Sequence, residues 1–125
     1  MQPLTTEWVA KAEGDFASAT RELRARKAPN YDAACFHAQQ CAEKYLKARL
    51  QEANTPFPRT QDLEALLDLL LPIEPGWNAL RPAAQLLTSL AVDVRYPGYT
   101  ADKGRASDAL RACRSVRDAA QRGLG

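Results

Sequence analysis

Apolar residues in this chain recur at steps of three and four, in five stretches broken by proline, glycine or short polar runs. Nowhere do they alternate with period two over the length of a strand. That spacing is the mark of amphipathic helices and leaves a sheet nothing to be built from. Trp8, Ala12, Phe16, Ala19 and Leu23 define a first helix, with Thr5 or Thr6 placed to cap it and Pro29 with Asn30 to end it. Asn30 or Asp32 opens a second helix reaching to about Gln51. The segment from Ala53 to Arg59 holds Pro56 and Pro58 and reads as a loop, because neither can continue a helix. Thr60 is placed to cap a third helix bearing Leu63, Leu66, Leu67 and Leu70, after which Pro72, Pro75 and Gly76 interrupt. Leu80, Ala83, Leu87, Leu90 and Val94 mark a fourth helix. A turn at Arg95–Tyr99 and a cap at Thr100 lead to a fifth, faced by Ala106, Ala109, Leu110, Cys113, Val116 and Ala120. The expected fold is all-α, an up-and-down antiparallel bundle of four to five helices forming one domain over residues 1–125.

Composition narrows the class. At 125 residues, 46% hydrophobic and 26% charged, the chain is long enough for one core and too apolar for disorder. Its net charge of +2 is too mild for a protein that coats nucleic acid. No apolar run approaches the roughly 18 to 20 residues of a membrane span, and Met1–Glu7 lacks the basic and apolar regions of a signal peptide. A cytoplasmic protein without membrane association is therefore expected. Cys35, Cys41 and Cys113 form no paired framework and no CxxC, and His37 is the sole histidine, so buried free thiols are expected and no metal site.

Charge is uneven along the chain. Residues 60–77 hold four acids and no base, whereas residues 78–125 hold eight bases against four acids. Arg111, Arg114 and Arg122 share one face of the last helix, read either as a solvated face or as a surface for a phosphate or a partner.

The second helix is the most informative element. Ala34, Ala38, Cys41, Ala42, Tyr45, Leu46 and Ala48 cover one broad arc, while Phe36 and Leu50 lie beyond it. The helix thus has apolar residues on two sides, one for the core and one for something else. His37, Gln40, Lys44 and Lys47 form a polar stripe. The stripe is either a solvated face, with Glu43 and Lys47 as an exposed i, i+4 pair, or the lining of a cleft for a phosphate or a partner carboxylate.

These residues also carry a resemblance. Phe36-His37-Ala38-Gln39-Gln40-Cys41-Ala42-Glu43-Lys44-Tyr45-Leu46-Lys47-Ala48 resembles the signature helix of the HEPN family, typically FHAQQAAEKxLKA. Thr60-Gln61-Asp62-Leu63 resembles its THDL, and Arg95-Tyr96-Pro97 its RYP, in the same order along the chain. The resemblance implies a helical bundle, usually a homodimer, working in prokaryotic nucleotide or RNA biology. One branch of the family consists of metal-independent ribonucleases, often toxins, with an Arg-x(4–6)-His motif. Another lacks the motif and commonly partners a minimal nucleotidyltransferase, with nucleotide binding proposed.

Arg95 stands where such a motif would begin, but the residues through Asp102 include no histidine. Metal-independent RNA cleavage needs a proton carrier with a pKa near neutrality, normally imidazole. Gln61 likewise replaces a histidine common in the family, keeping a donor and an acceptor but no proton shuttle. The expectation is a component that binds a nucleotide or a partner within a two-component nucleotidyltransferase or toxin–antitoxin system, with no cofactor and no catalytic residue of its own. Its candidate binding residues are His37, Gln40, Lys44, Lys47, Asp62, Arg95, Tyr96 and Tyr99. The guanidinium of Arg95 would grip a phosphate and Tyr96 or Tyr99 would stack on a base. The alternative is a ribonuclease with a degenerate site around Arg95; Asp62, Arg95 and Tyr96 also admit plain structural roles at helix ends.

Overall fold

A computed structural model covering residues 1–125 contains five α-helices: α1 (Pro3–Arg24), α2 (Tyr31–Glu52), α3 (Leu63–Leu70), α4 (Arg81–Asp93) and α5 (Lys103–Leu124). A 3₁₀ segment, Pro75–Leu80, leads into α4, and there is no strand. The periodicity is realised as five helices packed into a bundle.

Helix starts are where local expectation and structure part. None of the four threonines caps a helix. Thr5 lies buried inside α1, its hydroxyl donating to Glu52 Oε1 at 3.0 Å, while Thr6 donates back to the Gln2 carbonyl. Asn30 does cap α2, accepting from the Ala33 amide. Asp62 and Asp102 cap α3 and α5 in place of Thr60 and Thr100, because an ionised carboxylate is the stronger acceptor for first-turn amides and complements the helix dipole. Thr60 instead receives the Asp62 amide, and Asp32 reaches across to accept from Ala101 N at 2.7 Å.

Side-chain bonds fix the helix directions. Gln2 and Thr5 at the start of α1 meet Glu52 at the end of α2, so the two are antiparallel. Glu13 of α1 meets Arg117 of α5, while Asp32 and Tyr45 of α2 meet Ala101 and Gln121, so α5 runs with α2. The loop of residues 53–62 turns back along α2, bringing Gln61 beside Gln39, so that α3 runs in the same direction as α2. Then α4 returns antiparallel to α3, through Thr88 to Leu63 and Arg81 to Asp68.

α2 is the central element, touching α1, α5, α3 and α4. Of the two residues beyond its main arc, Leu50 is fully buried within the chain, while Phe36 stays half-buried with its ring set against His37. Ala12 and Ala19 of α1 and Ala34, Ala38 and Ala42 of α2 all lie in the core, and such small side chains let helix backbones approach closely. Larger side chains, among them Tyr45, Leu46, Leu66, Leu67 and Leu87, fill the rest. All three cysteines are buried and free.

Candidate nucleotide-binding cleft

The returning loop decides what happens to the polar stripe of α2. It lays Phe57 over the helix, opposite Trp8 of α1, with ring centroids 6.0 Å apart in a T-shaped pair. Lys47 sits beneath both rings, its Nζ 5.6 Å from the Trp8 centroid and 6.0 Å from that of Phe57. Its ammonium bonds Glu43 Oε2 at 3.0 Å. This pair is not the exposed one expected: the two side chains are only 9% and 8% exposed. Cation–π contact and the ion pair together offset the cost of burying an ammonium.

These residues line a cleft of about 640 Å³ together with Arg59, Thr60 and Gln61. Its floor is the Lys47–Glu43 pair, its walls are aromatic, and Arg59 is exposed at its rim. Gln61 also lines a second cavity of about 330 Å³ with Asp62, Thr88, Ala91, Val92 and Arg95, so the two adjoin. The guanidinium of Arg95 donates to Gln61 Oε1, which uses the acceptor that glutamine retains. Gln61 is held from its other side by its carbonyl, which accepts from Gln39 Nε2 at 2.9 Å.

The eight residues singled out in the sequence thus fall into separate groups. Lys47 lines the larger cavity, and Asp62 and Arg95 line the smaller. Gln40 lines neither, donating to Gln39 Oε1 at 2.8 Å and, at 3.5 Å, to Glu43. His37 and Lys44 do not join Arg95. Both converge on Asp15 of α1, His37 through Nδ1 at 2.8 Å, so the carboxylate they meet is the chain's own. A carboxylate only accepts, which puts the shared proton on Nδ1. Tyr96 is 64% exposed beside Arg95, free to stack, whereas Tyr99 packs against the core, and burial raises its phenol pKa.

On α5, Arg114 and Arg117 lie over the Phe16 ring at 6.0 and 4.2 Å, and Arg111 bonds Asp108. Arg117 grips Glu13 through two nitrogens at 2.7 and 2.9 Å, and Tyr45 donates to the same carboxylate at 2.5 Å. Arg117 holds the Glu13 carboxyl below its ordinary range, while burial and Glu13 push the Tyr45 phenol up. This network ties three helices together and lies away from the cleft.

Trp8, Phe57 and Arg59 carry no periodic signal that marks them as a site. The available hint was an aromatic and an arginine flanking Pro58 in a loop, where packing alone does not call for a large ring.

No curated protein and no solved structure matches the chain. The HEPN domain family model matches residues 5–123. With the signature helix at the centre of an all-helical bundle and nearly the whole chain matched, the protein belongs to the HEPN domain family.

Proposed function

We propose that this HEPN protein works by binding rather than by chemistry, holding a nucleotide as the helical component of a two-component nucleotidyltransferase or toxin–antitoxin system. The observation that carries this reading is the pair of adjoining cavities. Two aromatic side chains, a buried lysine and an exposed arginine line the larger, and Gln61 continues it to Arg95. Flat rings suit a base, and arginines suit phosphate through charge-assisted, bidentate bonds.

Ribonuclease activity gains no support from the site. The chain's one imidazole is engaged by Asp15 and lines neither cavity, and no histidine follows Arg95 in the turn. A homodimer in the cytoplasm of a prokaryote is part of the proposal and rests on the family. No helix is long and apolar enough to cross a membrane.

Calorimetric titration with nucleoside monophosphates tests the binding step. Saturable binding, weakened about tenfold or more by Arg95→Ala, is expected from loss of a charge-assisted phosphate contact. Absence of binding by any nucleotide refutes it. Recovery of a nucleotidyltransferase at equal stoichiometry from the native host would support the two-component role, and metal-independent RNA cleavage lost in Arg95→Ala would overturn the non-enzymatic one.

A further inference from the structure

We propose that the larger cleft is selective for guanine nucleotides, reading the base with the Glu43–Lys47 pair. This rests on the nucleotide-binding reading above and deepens it. An ionised carboxylate offers acceptors only, and an ammonium offers donors only. Glu43 and Lys47 are joined at 3.0 Å, so the floor presents a donor next to an acceptor in a fixed order. Neither group is saturated. The remaining oxygen of Glu43 has only the long contacts of 3.4 and 3.5 Å from Gln39 and Gln40, and Lys47 spends one of its three protons on Glu43 while its ammonium also lies against the Trp8 and Phe57 rings.

Among the common bases, the pairing edge of guanine is the complement of this floor. Its O6 accepts, and the neighbouring N1–H and 2-amino group both donate in one plane. A carboxylate takes that pair of donors while the ammonium takes O6. Adenine and cytosine place a ring-nitrogen acceptor beside a single amino group, so a carboxylate that accepts from the amine meets a lone pair. Uracil flanks its one N–H with two carbonyls, which repel a carboxylate in the same way.

Burial sharpens the choice. Glu43 is 6% exposed, and a mismatched base would leave its charge facing a lone pair with little water to screen it. Trp8 and Phe57, in edge-to-face contact with each other, offer the base an apolar ring surface to lie against, and the exposed Arg59, with Arg95 beyond Gln61, is left for the phosphate, which lies at the opposite end of the nucleotide from the pairing edge.

The test is calorimetric titration of the full chain with GMP, IMP, AMP and UMP. GMP is expected to bind about tenfold or more tightly than AMP and UMP, in line with the discrimination of one bidentate base contact. IMP, which keeps O6 and N1–H but lacks the 2-amino group, is expected between them. Glu43→Gln, with its fold checked by circular dichroism, should bring GMP and AMP to within about threefold, because an amide offers both a donor and an acceptor. Arg59→Gln should weaken all four nucleotides alike and leave their order intact. Equal affinity for GMP and AMP in the unaltered protein overturns guanine selectivity while leaving nucleotide binding in place. Absence of binding by all four removes both. A GMP preference that survives in folded Glu43→Gln also overturns the assignment, since the base is then read elsewhere. Should Glu43→Gln fail to fold, the order GMP, IMP, AMP on the unaltered protein decides the matter.

Discussion

Two glycines in long helices should respond in opposite directions to the same substitution. Gly14 lies within α1, exposed, and a methyl group added there meets nothing within 4 Å. Gly123 lies in the last turn of α5, where a methyl would stand 2.7 Å from Glu74 Oε2 and 3.0 Å from the Trp77 ring. In a helix interior, alanine is favoured over glycine by about 0.8–1 kcal/mol, since it loses less backbone entropy on folding. Gly14→Ala should realise most of that and raise the melting temperature by about 3–5 °C for a chain of this size. At Gly123 the gain is smaller, about half, because helix ends fray. It is set against the displacement of Glu74, whose Oε2 is held by Arg49 Nε at 3.2 Å. Loss of that pair costs about 0.5–1 kcal/mol, and crowding of Trp77 adds to it, so the net effect of Gly123→Ala should be destabilising. Urea unfolding followed by far-ultraviolet circular dichroism should separate the two variants by about 1–1.5 kcal/mol. Equal stabilisation of both would refute the close approach at the end of α5. Destabilisation by Gly14→Ala would mean that this face of α1 is covered by something beyond the chain.

Leu66→Ala, in the fully buried face of α3, should cost about 2–5 kcal/mol, and a loss below 1 kcal/mol in the same urea assay would mean that α3 is not firmly docked. Glu13 titrates below its ordinary value of 4.5 because of Arg117, so its contribution is complete above that value and is lost as pH falls through the lowered folded one. Arg117→Gln should therefore flatten the acid limb of a stability–pH curve, and an unchanged slope would refute the coupling. Burial, helped by Asp32, pushes the Cys35 thiol up to about 11, so its contribution is intact below 9.0 and is lost as pH rises through about 11. Cys35 should accordingly resist thiol reagents at pH 8 until the protein unfolds, and stoichiometric labelling of the native protein would contradict this.

The helices were legible because burial of one face imposes a period that survives in a single sequence. All seven residues of the α2 arc, from Ala34 to Ala48, are buried. Caps were less legible, because Thr60 and Thr100 stand two residues from Asp62 and Asp102, and local sequence alone does not rank neighbouring acceptors. The site was legible only in part. Lys47 belongs by spacing to a polar stripe, and only the loop that carries Phe57 back along α2 turns it into a buried floor. Asp15 went unnoticed because it meets His37 and Lys44 across 22 and 29 residues, a separation that no helical period encodes. Of the second side of α2, Leu50 is taken up by the chain's own core, while Phe36 stays half-buried.

The central position of α2 also bears on the order in which the molecule assembles. The contacts between α1 and α2 close a hairpin over a short linker, whereas Glu13 and Arg117 are separated by 104 positions. Closing the longer loop carries the greater entropic cost, so the hairpin is expected to form before α5 docks on it. Core substitutions at Ala12 or Ala19 should then slow folding, while those at Val116 should mainly speed unfolding. Backbone amides in the middle of α2, which packs against four other helices once α5 has closed, should exchange with deuterium only when the entire bundle opens.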